Sequence, residues 1–177
     1  MRPALRVIGL AGMSGSGKTT LVVRLLPALV ARGYRVSTMK HAHHVFDVDR
    51  PGKDSYRHRE AGATEVLVAS SARWALMHEQ RGEAEPSAAE LIGHMTPVDL
   101  VIVEGFKREG HDKLEIHRRE TGQPLIYPGD PHIVAVLSDE PLPACPLPVI
   151  DIDDIEAIAD FIVAHCRLEA RVASAAR

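Results

Sequence analysis

The chain has no asparagine, only two cysteines and no long apolar run. Cys145 and Cys166 lie far apart and belong to no paired motif, which excludes a disulfide framework or a cysteine-based structural zinc site. No apolar stretch approaches the roughly 18 residues needed to span a bilayer. The apolar segment after Met1-Arg2-Pro3 is short and runs straight into a glycine-rich loop, so it does not read as a signal peptide. Net charge is only −3, which leaves no broad footprint for nucleic acid or an anionic membrane. A reducing, cytoplasmic compartment fits these features. The missing asparagine excludes every recognition motif that needs that residue.

What remains is an ordinary globular composition, 45% apolar and 25% charged over 177 residues. That length predicts one domain with its own core, over residues 1–167, and an Ala- and Arg-rich tail from 168 that frays. Short β-branched runs at 5–11, 35–39, 99–103, 133–137 and 149–152 read as strands; 18–32 reads as a helix of apolar periodicity, and Ile155, Ile158, Ala159 and Ile162 mark an amphipathic last helix. A short helix is expected over 54–62 with Asp54 or Ser55 as its cap, another over 87–95, and Asp153 as the cap of the last helix. Residues 65–69 and 73–78 are two further strand-like runs. Lys113–His117 alternates polar and apolar, as a half-exposed strand would. Strands alternating with helices predict an α/β fold, a mainly parallel sheet with helices on both faces and extra antiparallel strands.

Gly12-Met13-Ser14-Gly15-Ser16-Gly17-Lys18-Thr19 lies between the first strand and the first helix. Gly12 and Gly17, with four residues between them, then Lys and Thr, form a phosphate-binding loop. The glycines let backbone N–H groups turn toward phosphate oxygens, and the helix start adds its positive dipole end. Gly12, Ser14, Gly15, Ser16, Gly17, Lys18, Thr19 and Thr20 are therefore the candidate nucleotide contacts. Lys18 is expected on the β- and γ-phosphates and the Thr19 hydroxyl on Mg²⁺.

Leu100–Val103 is an apolar run that ends in Glu104, an acid delivered to the sheet edge where the ligand crevice of such folds lies. Glu104 is a candidate ligand to Mg²⁺ with Thr19 and a candidate catalytic acid. Asp99, at the other end of that strand, reads as structural. The loop after the second strand carries Lys40, His41, His43 and His44, then Asp47, Asp49, Lys53, Asp54, Ser55 and Arg57. Asp47 is the second candidate catalytic acid, with Asp49 as its alternative. Lys40, Lys53 and Arg57 are candidates for a second anionic group, and the histidines for a metal or an anion.

The run Lys40-His41-x-His43-His44-x-Phe46-Asp47-x-Asp49-x-x-Gly52-Lys53-Asp54-Ser55 resembles the signature of the molybdopterin-guanine dinucleotide biosynthesis protein B (MobB) family. So do Ala61-Gly62-Ala63 and Val103-Glu104-Gly105-Phe106-Lys107, and the likeness extends over about residues 5–165. The resemblance implies a P-loop NTPase fold and a homodimer that binds GTP and hydrolyses it weakly. It implies an adapter beside the guanylyltransferase MobA, with the molybdopterin cofactor as a further candidate partner.

Many GTPases read guanine with an Asn-Lys-x-Asp motif, which a chain without asparagine cannot carry; the candidate here is Asp139, whose carboxylate can accept two base N–H groups. Two other classes stay open. One is a P-loop small-molecule kinase, with Lys107–Lys113 and Arg118-Arg119 imitating a lid. The other is a metallochaperone GTPase, suggested by the histidines.

Overall fold

The computed structural model describes residues 5–42, 46–106 and 109–170. The chain divides into two compact units, one built from residues 1–41 and 92–177 and one from residues 42–91. The second is inserted between the second and third strands of the first.

The first unit is a six-stranded sheet. Its strands are β1 (Arg6–Ala11), β2 (Val36–Lys40), β5 (Leu100–Glu104), β6 (Lys113–His117), β7 (Ile133–Ser138) and β8 (Val149–Asp151). All are parallel, in the order β2-β5-β1-β6-β7-β8. The near-continuous apolar runs of β1, β5 and β7 suit strands buried on both faces. Helices α1 (Lys18–Ala31) and α4 (Ile155–His165) share one face of the sheet. Leu21, Leu25 and Leu29 of α1 are fully buried there with Ile8, Leu10, Ile102, Leu114, Ile158 and Ile162. Each such leucine contributes about 1.5–3 kcal/mol on leaving water, so packing alone anchors α1. α4 is capped by Asp154, whose carboxylate accepts the Ala157 N–H at 3.0 Å. Asp153, the expected cap, instead pairs with Arg24 at 2.6 Å. Asp99 accepts the Arg35 N–H at 2.8 Å, a structural role at the amino end of β5.

β6 differs from its reading as a half-exposed strand. It lies inside the sheet, and Lys113 and Glu115 are each 1% exposed. Leu114 and Ile116 belong to the core under α1 and α4, so Lys113 and Glu115 point to the opposite face. That face is covered by the segment carrying two 3₁₀ turns, Arg119–Thr121 and Tyr127–Gly129. Glu115 accepts the N–H groups of Ile126 at 2.6 Å and Tyr127 at 2.9 Å. Lys113 donates to Asp130 at 3.1 Å. Burial opposes ionisation of Asp130, but the His132 N–H and Lys113 outweigh it and hold its carboxyl below the ordinary range. These polar groups are buried because each has found a partner.

The second unit contains α2 (Asp54–Glu60), the antiparallel pair β3 (Glu65–Ala69) and β4 (Trp74–His78), and the start of α3 (Ala88–Gly93). Lys53 stands at the start of α2 and no side chain caps it, so neither Asp54 nor Ser55 has the expected role. Arg59 ties the unit together. Its guanidinium donates to both carboxylate oxygens of Asp49, at 2.8 and 3.1 Å, to Asp47 at 2.8 Å and to Glu79 at 3.0 Å. One side chain thereby joins the loop, α2 and the residue after β4. On β3 and β4 the register pairs Leu67 with Leu76 and Ala69 with Trp74, and Leu67, Trp74 and Leu76 are all exposed. The expected tail falls, from residue 171 on, outside the described residues.

Candidate functional site

Because every strand of the large sheet runs the same way, their carboxyl ends share one rim. Along it stand Lys40 on β2, Glu104 on β5, the glycine loop after β1, Arg118 after β6 and Asp139 after β7. This is the edge at which open parallel sheets bind ligands.

The loop is shaped by its glycines. A Cβ on Gly12 would lie 2.6 Å from Ser16 Oγ and 3.0 Å from the Ile116 carbonyl, so nothing larger fits beneath the turn. Gly15 and Gly17 have φ of 81° and 93°, a region that side chains other than hydrogen rarely tolerate. Gly17 is also the cap of α1. Ser16 is buried, and its hydroxyl has no hydrogen-bond partner among the described residues. Lys18 folds back over the turn and donates to the Gly12 and Met13 carbonyls at 2.9 and 2.8 Å. Ser14, Thr19 and Thr20 are exposed at the mouth.

Beside the mouth, Thr19 Oγ1 lies 2.9 and 3.1 Å from the two oxygens of Glu104. The sheet register places Glu104 next to Leu10 on β1 and next to Lys40 on β2. Lys40 Nζ is 3.3 Å from Glu104 Oε1 and 3.4 Å from Thr19 Oγ1. Hydroxyl and carboxylate oxygens are the donors a hard divalent cation takes, and an ammonium already lies against both. The residues therefore fit Mg²⁺, with Thr19 and Glu104 as the holding groups. After Glu104 the chain turns sharply. Gly105 has φ of 97°, and a Cβ there would meet that of His41 at 2.7 Å. Only glycine lets the β2 and β5 ends lie this close, and the His41 N–H donates to the Glu104 carbonyl at 2.8 Å.

Asp139 Oδ1 accepts the Arg119 N–H at 2.9 Å, and its other oxygen lies 3.6 Å from Arg118. The two oxygens of Asp49 are both taken by Arg59, and its side chain is 6% exposed. Asp47 shares the same guanidinium through one oxygen and is 48% exposed, so it is the acid that keeps acceptor capacity. His41 packs its ring 4.9 Å from that of Phe106. His43 and His44 lie outside the described residues, as do Lys107 and Arg108 of the suggested lid. Lys113, at the end of that lid, is buried in β6 and unavailable to cover a phosphoryl group. Among the described residues no group of three or more His, Cys, Asp or Glu is arranged to hold a metal ion. Also among them, no helix is long and apolar enough to cross a membrane.

Two residues here carried weaker sequence signals than their positions warrant. Lys40 had a general anion-binding role, and Arg118 only a place in a possible lid. Arg59 carries no sequence signal, because its partners Asp47, Asp49 and Glu79 lie in two segments apart from its own helix.

The family described as Molybdopterin guanine dinucleotide synthesis protein B matches residues 7–139. The chain belongs to the MobB family. It is 46% identical over 160 residues to the "Molybdopterin-guanine dinucleotide biosynthesis adapter protein" of Escherichia coli (strain K12), covering 89% of this chain and 91% of that one. It is 42% identical over 165 residues to the protein of the same name from Haemophilus influenzae, covering 92% and 90%. A solved structure of molybdopterin-guanine biosynthesis protein B superposes with a TM-score of 0.70 at 30% identity, covering 90% of this chain and 99% of that one. The α/β P-loop fold and the nucleotide-binding type of the loop are thus those of the MobB family.

Proposed function

We propose that the chain binds GTP with Mg²⁺, hydrolyses it slowly, and serves as an adapter in molybdopterin guanine dinucleotide biosynthesis. It works in the cytoplasm beside the guanylyltransferase MobA, with the molybdopterin cofactor as a further candidate ligand. The observation that carries the nucleotide reading is the mouth of the loop. Lys18 reaches across the turn, and Thr19, Glu104 and Lys40 converge beside it. The adapter role rests on relatives that share about nine-tenths of their length with this chain. Glu104 is the acid at the metal, Asp47 the second acid of hydrolysis, and Asp139 the reader of the base. The decisive experiment is a pull-down from the native cytoplasm with the tagged chain. A guanylyltransferase is expected in the eluate, and its absence with both empty and GTP-loaded bait would remove the adapter reading.

GTP should bind more tightly than ATP. In competition binding, Asp139→Ala should lose that preference while keeping affinity for both triphosphates through the loop. Equal affinities in the unsubstituted chain would end the guanine assignment.

The homodimer finds support in the second unit. β6 is interior, so it offers no edge for pairing, but among the described residues no further strand pairs with β3 or β4, and their Leu67–Trp74–Leu76 face is exposed. Light scattering at micromolar concentration should give twice the 19.3 kDa chain mass. A monomer there would exclude the dimer.

A further inference from the structure

Arg118 follows β6 directly, and its side chain is only 23% exposed. It turns back over the phosphate loop. A Cβ built on Gly17 would lie 3.5 Å from Arg118 Nε and 3.8 Å from Nη2. Its Nη1 lies 3.6 Å from Asp139 Oδ2. The guanidinium therefore bridges the bare backbone of the loop and the carboxylate at the end of the next strand.

This is an odd place for a cation. Gly17 is the amino-terminal cap of α1, where the helix dipole presents about half a positive charge, and Lys18 adds a full one. Asp139, at 3.6 Å and shared with the Arg119 N–H, and the charge of Asp153, itself paired with Arg24, offset only part of that. A third positive group held here and largely withdrawn from water implies a ligand that gains from it. Either a phosphate or the face of a base qualifies.

The order along the rim separates the two. Lys40, Glu104 and Thr19 gather on the β2–β5 side of the loop, where the metal and the terminal phosphate belong. Arg118 and Asp139 stand on the β6–β7 side, which leaves the nucleoside for them. A guanidinium can serve a phosphate or a base, but it is planar, weakly hydrated and stacks on aromatic faces, so it suits the base that the order along the rim leaves to it.

We propose that Arg118 is the surface on which the base of the bound nucleotide stacks, and that its pairing with Asp139 aims that carboxylate at the base edge. Arg118 is thus a specificity-determining contact and also a positioning residue. This rests on the triphosphate-binding reading above.

The test compares GTP, ATP and inorganic tripolyphosphate, each with Mg²⁺, by calorimetry on the full chain. Arg118→Ala should lower GTP affinity roughly tenfold and erode the preference over ATP. Tripolyphosphate, which has no base, should bind as before. Arg118→Lys keeps the charge without the plane and should recover little. Arg118→Gln, planar and neutral, should recover part, and it serves if the alanine variant fails to fold. A parallel loss for tripolyphosphate would make Arg118 a phosphate ligand and overturn the proposal, as would unchanged GTP binding in a folded variant. If the unsubstituted chain binds neither GTP nor tripolyphosphate, the triphosphate reading itself fails, and the assignment of Arg118 with it.

Discussion

Lys18→Ala is expected to lose triphosphate affinity by more than a hundredfold and to leave the chain folded. In the structure the ammonium of Lys18 is held by the carbonyls of Gly12 and Met13, at 2.9 and 2.8 Å. Both acceptors belong to the loop that would wrap the phosphates. Removing the side chain costs the ligand-free loop two hydrogen bonds at a partly exposed position, each about 0.5–1.5 kcal/mol net. α1 does not depend on them, since Leu21, Leu25 and Leu29 are buried in the core. The bound state depends on the ammonium far more. A charge-assisted contact to phosphate is roughly twice as strong as a neutral one, and the ammonium addresses two phosphates at once. A loss of at least about 3 kcal/mol, or more than a hundredfold in affinity, follows. Calorimetry with GTP and Mg²⁺ measures the loss, and a thermal melt reports the fold. A folded variant with unchanged affinity would falsify the role of Lys18. Lys18→Arg is a useful companion, because its charge is retained on a broad fork that does not fit the narrow turn.

That loop was legible because its chemistry is contiguous. Eight consecutive residues carry the glycine positions, the lysine and the hydroxyl, so spacing alone sufficed. Glu104 was legible for a similar reason, as the acid ending an unbroken apolar run. β6 was not. Its alternation of Lys, Leu, Glu, Ile and His is the pattern of a strand with one wet face. The polar residues are dry because Asp130, Ile126 and Tyr127 return from farther along the chain to meet them. Nothing local announces that return. Helix caps failed by one residue at α4 for another reason. Asp153 and Asp154 are chemically equal candidates, and the tertiary pairing of Asp153 with Arg24 decides between them. Arg118 and Asp139 were visible as charges, but their approach to Gly17 depends on strand order, which the sequence pattern does not state.

Glu104→Gln should bind GTP and respond to magnesium only at much higher concentrations. The substitution keeps the size and one acceptor oxygen of Glu104, so Thr19 retains a partner and β5 keeps its register with β1 and β2. What disappears is the negative charge beside Thr19. Phosphate contacts of the loop and Lys18 are untouched, so nucleotide affinity at saturating magnesium should change little. The magnesium needed for half-maximal hydrolysis should rise by roughly 10–150-fold, the range of one charge-assisted contact of about 1.5–3 kcal/mol. Residual turnover should fall with it. Asp47 and Asp49 supply the contrast. Asp47→Asn should lower turnover without moving the magnesium midpoint, and unchanged turnover would remove Asp47 from hydrolysis. Asp49→Asn should change neither and should weaken the second unit instead, because both its oxygens are bound to Arg59. The Arg59 guanidinium holds the Asp49 carboxyl below its ordinary value. A carboxyl with a lowered folded-state pKa stabilises above its unfolded value, about pH 4, and that contribution fades as the pH drops further. The Asn variant should therefore lose part of the acid limb of the melting curve while keeping normal hydrolysis at neutral pH. Single-turnover hydrolysis across a magnesium series, run on all three variants, separates these outcomes. Wild-type rates and midpoints in Glu104→Gln would show that Glu104 is structural, a partner for Thr19 and Lys40 and nothing more.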